Sequence, residues 1–120
     1  MIKHISIIRR HSGVSREEFR RYWIDVHAPL VKQSLPGLRR YIGNFPDEGG
    51  RADKWGLQDR SEILDCDLIV ELHFDDMKAL KSAMLGPAWL NDKRRASSAK
   101  LIDYGATLIT TVAEEYDVPL

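Results

Sequence analysis

The chain has 120 residues, 43% hydrophobic and 30% charged, a balance that suits one folded domain over residues 1–120 and excludes both a disordered chain and two separate domains. Its 18 basic and 18 acidic residues cancel, which leaves no net field to draw nucleic acid or an anionic membrane as partner. A single cysteine, Cys66, excludes an intrachain disulfide and a multi-cysteine metal site and fits a reducing, cytoplasmic setting, and no continuous apolar run reads as a signal peptide or membrane span.

Residues 2–10 (IKHISIIRR) alternate apolar and polar side chains and are rich in isoleucine, the pattern of a half-buried strand. Ser15 followed by Glu18 forms a capping box, predicting a helix from about residue 16 to the low thirties. Phe19, Trp23, Val26 and Leu30 make its apolar stripe. Pro29 falls inside this helix without an amide to bond the Asp25 carbonyl, so a kink or an early end is expected beside His27.

After Pro36-Gly37, residues 38–45 (LRRYIGNF) read as a second strand, with Tyr41 and Phe45 on one face and Arg40 and Asn44 on the other. Residues 46–63 are an irregular, glycine-containing stretch whose length points to a functional or disordered loop. Residues 66–74 (CDLIVELHF) alternate Leu68, Val70, Leu72 and Phe74 against Asp67, Ile69, Glu71 and His73. Asp75 or Asp76 caps a helix through Met77, Leu80 and Met84 that ends at Gly86-Pro87. A further helix is expected from Asn91 or Asp92 to about Ile102, and residues 106–113 form a last strand.

The order β-α-β-β-α-β plus an extra helix predicts an α+β fold of ferredoxin-like type, with the first and third strands antiparallel at the sheet centre and the helices on one face. The other face is left bare, and a second copy closing two sheets into a dimeric α+β barrel is the simplest cover, so a homodimer is expected. If Leu68, Val70, Leu72 and Phe74 face the helices, Asp67, Ile69, Glu71 and His73 face the space between subunits. Alternation then puts Ile5 and Ile7 on the helix side and His4, Ser6 and Ile8 beside the polar face, with His4 and His73 near each other. Such a face is a candidate pocket for a small molecule, although alternating polar residues on a strand also read as a solvated surface.

His27 lies four residues after Trp23 on one side of the helix and can exchange protons near neutral pH, or can simply cap a loose carbonyl. Tyr41 can donate to a substrate carbonyl or enolate, and Glu71 or His73 can serve as a second titratable group. Trp89, after Gly86-Pro87, can wall a pocket for a flat ring or pack as a core aromatic. No His-x-x-x-His or Cys-x-x-Cys pair marks a metal site, so no metal ligand is assigned.

The segment FRRYWIDVHAPLVKQSLPGLRRYIGNF, from Phe19 to Phe45, resembles the signature of EthD-domain proteins, whose pattern runs Phe, Trp, His-Ala-Pro, Pro-Gly-Leu and Tyr. CDLIVELHFDD resembles the later strand of that family, and Asp103 and Glu114-Glu115 fall where it has a late Asp and an acidic pair. The resemblance implies a dimeric α+β barrel that in most relatives needs no metal or organic cofactor. Relatives of this kind include lactone isomerases, polyketide-modifying dehydratases or decarboxylases, and accessory proteins of ether-degrading oxygenase systems. The family's helix histidine and strand tyrosine fall on His27 and Tyr41.

Three functions are compatible with these residues. The first is cofactor-independent proton transfer on a small cyclic organic ligand, a lactone, quinone or polyketide-like ring. Here His27, Tyr41, Glu71 and His73 are catalytic, and His4, Ser6, Trp23, Asn44 and Trp89 bind substrate. The second is a non-catalytic ligand-binding or accessory protein of an oxygenase system. The third is an oxygenase acting on a quinol or haem.

Overall fold

The structure, a computed structural model, describes residues 1–47 and 64–120; most of the irregular stretch expected over 46–63 lies outside the described residues. Four strands form one antiparallel sheet in the order β2-β3-β1-β4, with β1 at Ile2–Ile8, β2 at Arg40–Asn44, β3 at Leu68–Phe74 and β4 at Leu108–Val112. The helices are α1 (Arg16–Tyr22), α2 (Ala28–Ser34), α3 (Met77–Met84) and α4 (Asp92–Leu101). This is the ferredoxin-like α+β arrangement, with β1 and β3 paired at the centre.

The caps explain where the helices begin. Ser15 accepts from the Glu18 amide, Asp76 from that of Ala79 and Asn91 from that of Arg94, each satisfying an amide that the first helical turn leaves free. Pro29 neither ends the first helix nor merely kinks it. The chain widens into a π-helical turn at Trp23–His27, in which the Ala28 amide donates to the Trp23 carbonyl five residues back, and then resumes as α2. The wide turn absorbs the residue that proline cannot accommodate in the regular ladder, and π turns of this kind recur at functional sites.

Leu68, Val70, Leu72 and Phe74 are buried beneath Phe19, Trp23, Val31, Leu80 and Leu101, so the helix-facing side of β3 is as expected. The parity of β1 is the reverse of the expectation. Ile2, His4, Ser6 and Ile8 stand opposite Phe74, Leu72, Val70 and Leu68, and directly opposed residues share a face, so His4 and Ser6 lie under the helices. Ile5 and Ile7 instead join Glu71 and Ile69 on the uncovered face. The physical reason is that β1 carries isoleucine on both faces, and local alternation cannot choose between two apolar sides; pairing with β3 makes the choice.

Asp67, just before β3, ties the end of β1 in place. Its side chain, 9% exposed, accepts from the Arg10 amide at 2.9 Å and from Arg10 Nη1 at 2.8 Å, with Arg16 Nε at 3.6 Å. Asp67→Ala removes the partner of both the Arg10 amide and Arg10 Nη1, leaving the guanidinium only the Val14 carbonyl that its Nε meets, and is expected to cost about 2 kcal/mol. A denaturant midpoint equal to that of the wild type would show that this cluster adds nothing to stability.

Candidate functional site

Between the sheet and the helix layer lies a cavity of about 270 Å³. Its floor is made by His4 and Ser6 of β1, Tyr41 of β2 and Val70 and Leu72 of β3. Its wall is made by Trp23, His27 and Val31, and by Trp89, Arg94 and Ser98. Tyr104 and Thr107 stand at one side of it. A few polar groups converging in a largely apolar space are the usual make-up of a small-molecule site.

His27 ends the π turn and is 4% exposed. Its Nδ1 lies 2.9 Å from Ser97 Oγ, which in turn lies 3.2 Å from the Tyr22 hydroxyl. The bonded Nδ1 orients the ring and leaves Nε2 as the nitrogen for the cavity. Burial first, and the neighbouring Arg94 guanidinium second, hold the imidazole at a pKa of about 4, so it is neutral at pH 7. Between the unfolded value near 6.5 and this folded value, the unfolded chain takes up a proton that the folded chain refuses. Stability therefore falls as pH drops through that window, by roughly 2 kcal/mol between pH 7 and 4.5 from this residue. Urea titrations of the wild type and His27→Gln at both pH values check this, and an identical pH loss in the two proteins would contradict it.

Trp23 meets Tyr41 edge-on at 5.5 Å and Phe45 at 5.7 Å. Burial raises the Tyr41 phenol above its ordinary value, so it stays protonated and able to donate. His4 Nδ1 is wholly buried with no hydrogen-bond partner among the described residues, and burial lowers the pKa of its ring. Arg94, 6% exposed, donates from Nε and Nη2 to the Trp89 carbonyl at 2.8 and 2.6 Å and from Nη1 to Ser98 Oγ at 3.3 Å. Its guanidinium carbon lies 3.6 Å from the centre of the Trp89 ring, a cation–π stack that holds both side chains against the cavity.

The cavity thus gathers His4, Ser6, Trp23, His27, Tyr41 and Trp89 from the residues named by sequence. Glu71, His73 and Asn44 are elsewhere. On the opposite sheet face, His73 Nε2 lies 3.1 Å from Glu71 Oε1, and Asn44 Nδ2 donates to Glu71 Oε2 at 3.0 Å. The bonds from Asn44 and His73 hold the Glu71 carboxyl below its usual range, the opposite of a carboxylate raised by burial to act as an acid. The expected closeness of His4 to His73 also fails, since His4 stands opposite Leu72 and a sheet separates the two rings. Among the described residues, no group of three His, Cys, Asp or Glu side chains is placed to hold a metal ion.

Arg94, Ser97 and Ser98 were not legible as site residues. The available signal is their spacing on α4: Arg94, Ser97, Ser98 and Leu101 fall at i, i+3, i+4 and i+7, and all four are buried. A helical face made of polar residues, with a single leucine, is a face turned toward something polar.

Residues 11–103 match the EthD domain family. Among solved structures, an EthD family protein from Bacillus halodurans is similar at a TM-score of 0.69 and 19% identity, over 96% of this chain and 99% of that one. A dimeric ferredoxin-like protein of unknown function from Thermobifida fusca is similar at 0.60 and 19% identity, over 94% of this chain and 90% of that one. SnoaB of Streptomyces nogalater, a cofactor-independent oxygenase, is similar at 0.58 and 15% identity, over 99% of this chain and 97% of that one. No curated protein matches the sequence significantly. At these identities the solved structures speak for the fold alone, and no described helix is long and apolar enough to cross a membrane. The family match covers well over half of the sequence and includes His27 and Tyr41: the chain belongs to the EthD domain family.

Proposed function

We propose that the protein is a cytoplasmic, homodimeric enzyme that carries out cofactor-independent proton transfer on a lactone, quinone or polyketide-like ring bound in the cavity of each subunit. The observation that carries this reading is the neutral His27, fixed by Ser97 through Nδ1, beside the cationic Arg94 in an apolar space. His27 Nε2 takes a proton from an acidified C–H or O–H of the ring, and the electron pair left behind settles on a ring oxygen. Tyr41 donates a hydrogen bond to that oxygen, and Arg94 offsets its charge. Return of the proton to another atom completes an isomerisation; its departure with hydroxide, as water, completes a dehydration. Trp23, Trp89, His4 and Ser6 shape the space around the ring. The cofactor-independent oxygenase of the same fold is in keeping with chemistry that needs only protein groups.

Homodimerisation is supported by the uncovered sheet face, where Ile5, Ile7, Ile42 and Ile69 stay only half-buried, and by the dimeric neighbour of similar fold. Glu71, His73 and Asn44 then form a hydrogen-bonded cluster between the subunits and do not touch substrate. A second reading, ligand binding without turnover, is favoured by the low basicity of His27. A muconolactone and anthrone panel, assayed with wild type and His27→Ala and read by product mass spectrometry, separates the two. Ligand recovered unchanged from the wild type, or equal rates in both proteins, would sink the enzymatic reading.

A further inference from the structure

Arg94 is a buried cation whose partners are all neutral: the Trp89 carbonyl, the Ser98 hydroxyl, the Tyr104 phenol and the Trp89 ring. No ion pair among the described residues includes it; the carboxylates of Asp67 and Glu71 are engaged with Arg10 and His73, and Asp103 caps the Gly105 amide. Hydrogen bonds to neutral acceptors satisfy N–H groups but leave the charge uncompensated, and an uncompensated buried charge is costly. Three of its five N–H groups are used by Trp89 and Ser98, and the Tyr104 phenol, on a mostly exposed side chain, hydrogen-bonds the guanidinium as well. Tyr104 is the one group among the described residues that favours its charge, and it is mostly exposed.

We propose that the natural ligand of this cavity is an acid: a flat, largely apolar one- or two-ring compound bearing a carboxylate, received by the Arg94 guanidinium, with its ring beside Trp23, Val31 and Leu72. The shape follows from the lining and from a volume of about 270 Å³, near the lower end of ligand pockets. The charge follows from Arg94, because a guanidinium fork matches a carboxylate and the ligand supplies the missing anion. This deepens the proposed function and rests on it only in taking the cavity as the ligand site.

The test measures binding alone, so its failure is distinguishable from a failure of turnover. Full-length wild type is titrated with benzoate, 1-naphthoate and 2-naphthoate and with the matched neutral amides, followed by calorimetry and tryptophan fluorescence. At least one acid is expected to bind about ten- to a hundredfold more tightly than its amide. Arg94→Met is expected to level that pair, and Arg94→Lys to restore part of the preference. The wild-type comparison decides the matter even if Arg94→Met fails to fold. Equal affinity within every pair, no binding by any acid, or a preference that survives in folded Arg94→Met overturns the assignment.

Discussion

Alanine at position 27 is expected to lower kcat by about 10²–10⁴-fold on any substrate that the wild type turns over, the range over which a positioned acid–base group acts. The loss falls on the chemical step, so kcat and kcat/KM drop together while KM changes little. Arg94 and Tyr41 stay in place to bind the ring. What is removed is the one cavity base whose second nitrogen is already committed, Nδ1 to Ser97 at 2.9 Å. Steady-state kinetics on the responsive member of the panel give both parameters. A rise in KM with kcat unchanged would recast His27 as a ligand contact and pass the role of base to another group, with His4 as the next to test.

Valine at position 43 is expected to cost about 3 kcal/mol, the upper part of the range for overpacking a filled interior. A Cβ on Gly43 would stand 2.5 Å from Cη2 and 2.8 Å from Cζ3 of the Trp23 indole. That ring cannot withdraw freely, since Tyr41 and Phe45 abut it edge-on and its backbone belongs to the π turn that carries His27. Gly43 is therefore a seat for Trp23, used for its missing side chain. The strain passes directly to the site, so the variant should also bind ring ligands more weakly. Pairing the milder Gly43→Ala with Trp23→Phe frees the space and should recover part of the loss in a double-mutant cycle. Additive losses in that cycle would show that the two residues do not press on one another.

These effects arise from features that were legible to different degrees. Local signals reached far: the caps at Ser15, Asp76 and Asn91, the alternation of β3 and the punctuation at Pro36-Gly37 and Gly86-Pro87 place nearly every element. They succeed because a cap or an alternation is satisfied within a few residues, and no distant partner has to be known. His27 and Tyr41 were legible through the Trp, His-Ala-Pro and Tyr pattern, and both line the cavity.

Two things escaped. The turn at Trp23–His27 was expected as a kink or stop because Pro29 forbids the regular ladder, but which irregularity relieves the conflict depends on burial of Trp23 and His27 on the sheet. The face of β1 is the second: His4 and Ser6 lie under the helices and not beside Glu71 and His73, because β1 presents isoleucine on both faces and only its pairing with β3 selects one. Composition and short-range pattern by themselves determined the element order, the ferredoxin-like class and the histidine at the helix irregularity. Tertiary structure alone decided that the cavity lies under the helices and that α4 brings Arg94 and Ser97 to His27, because strand register and the approach of residues some 70 positions apart are settled by packing, which no local window contains.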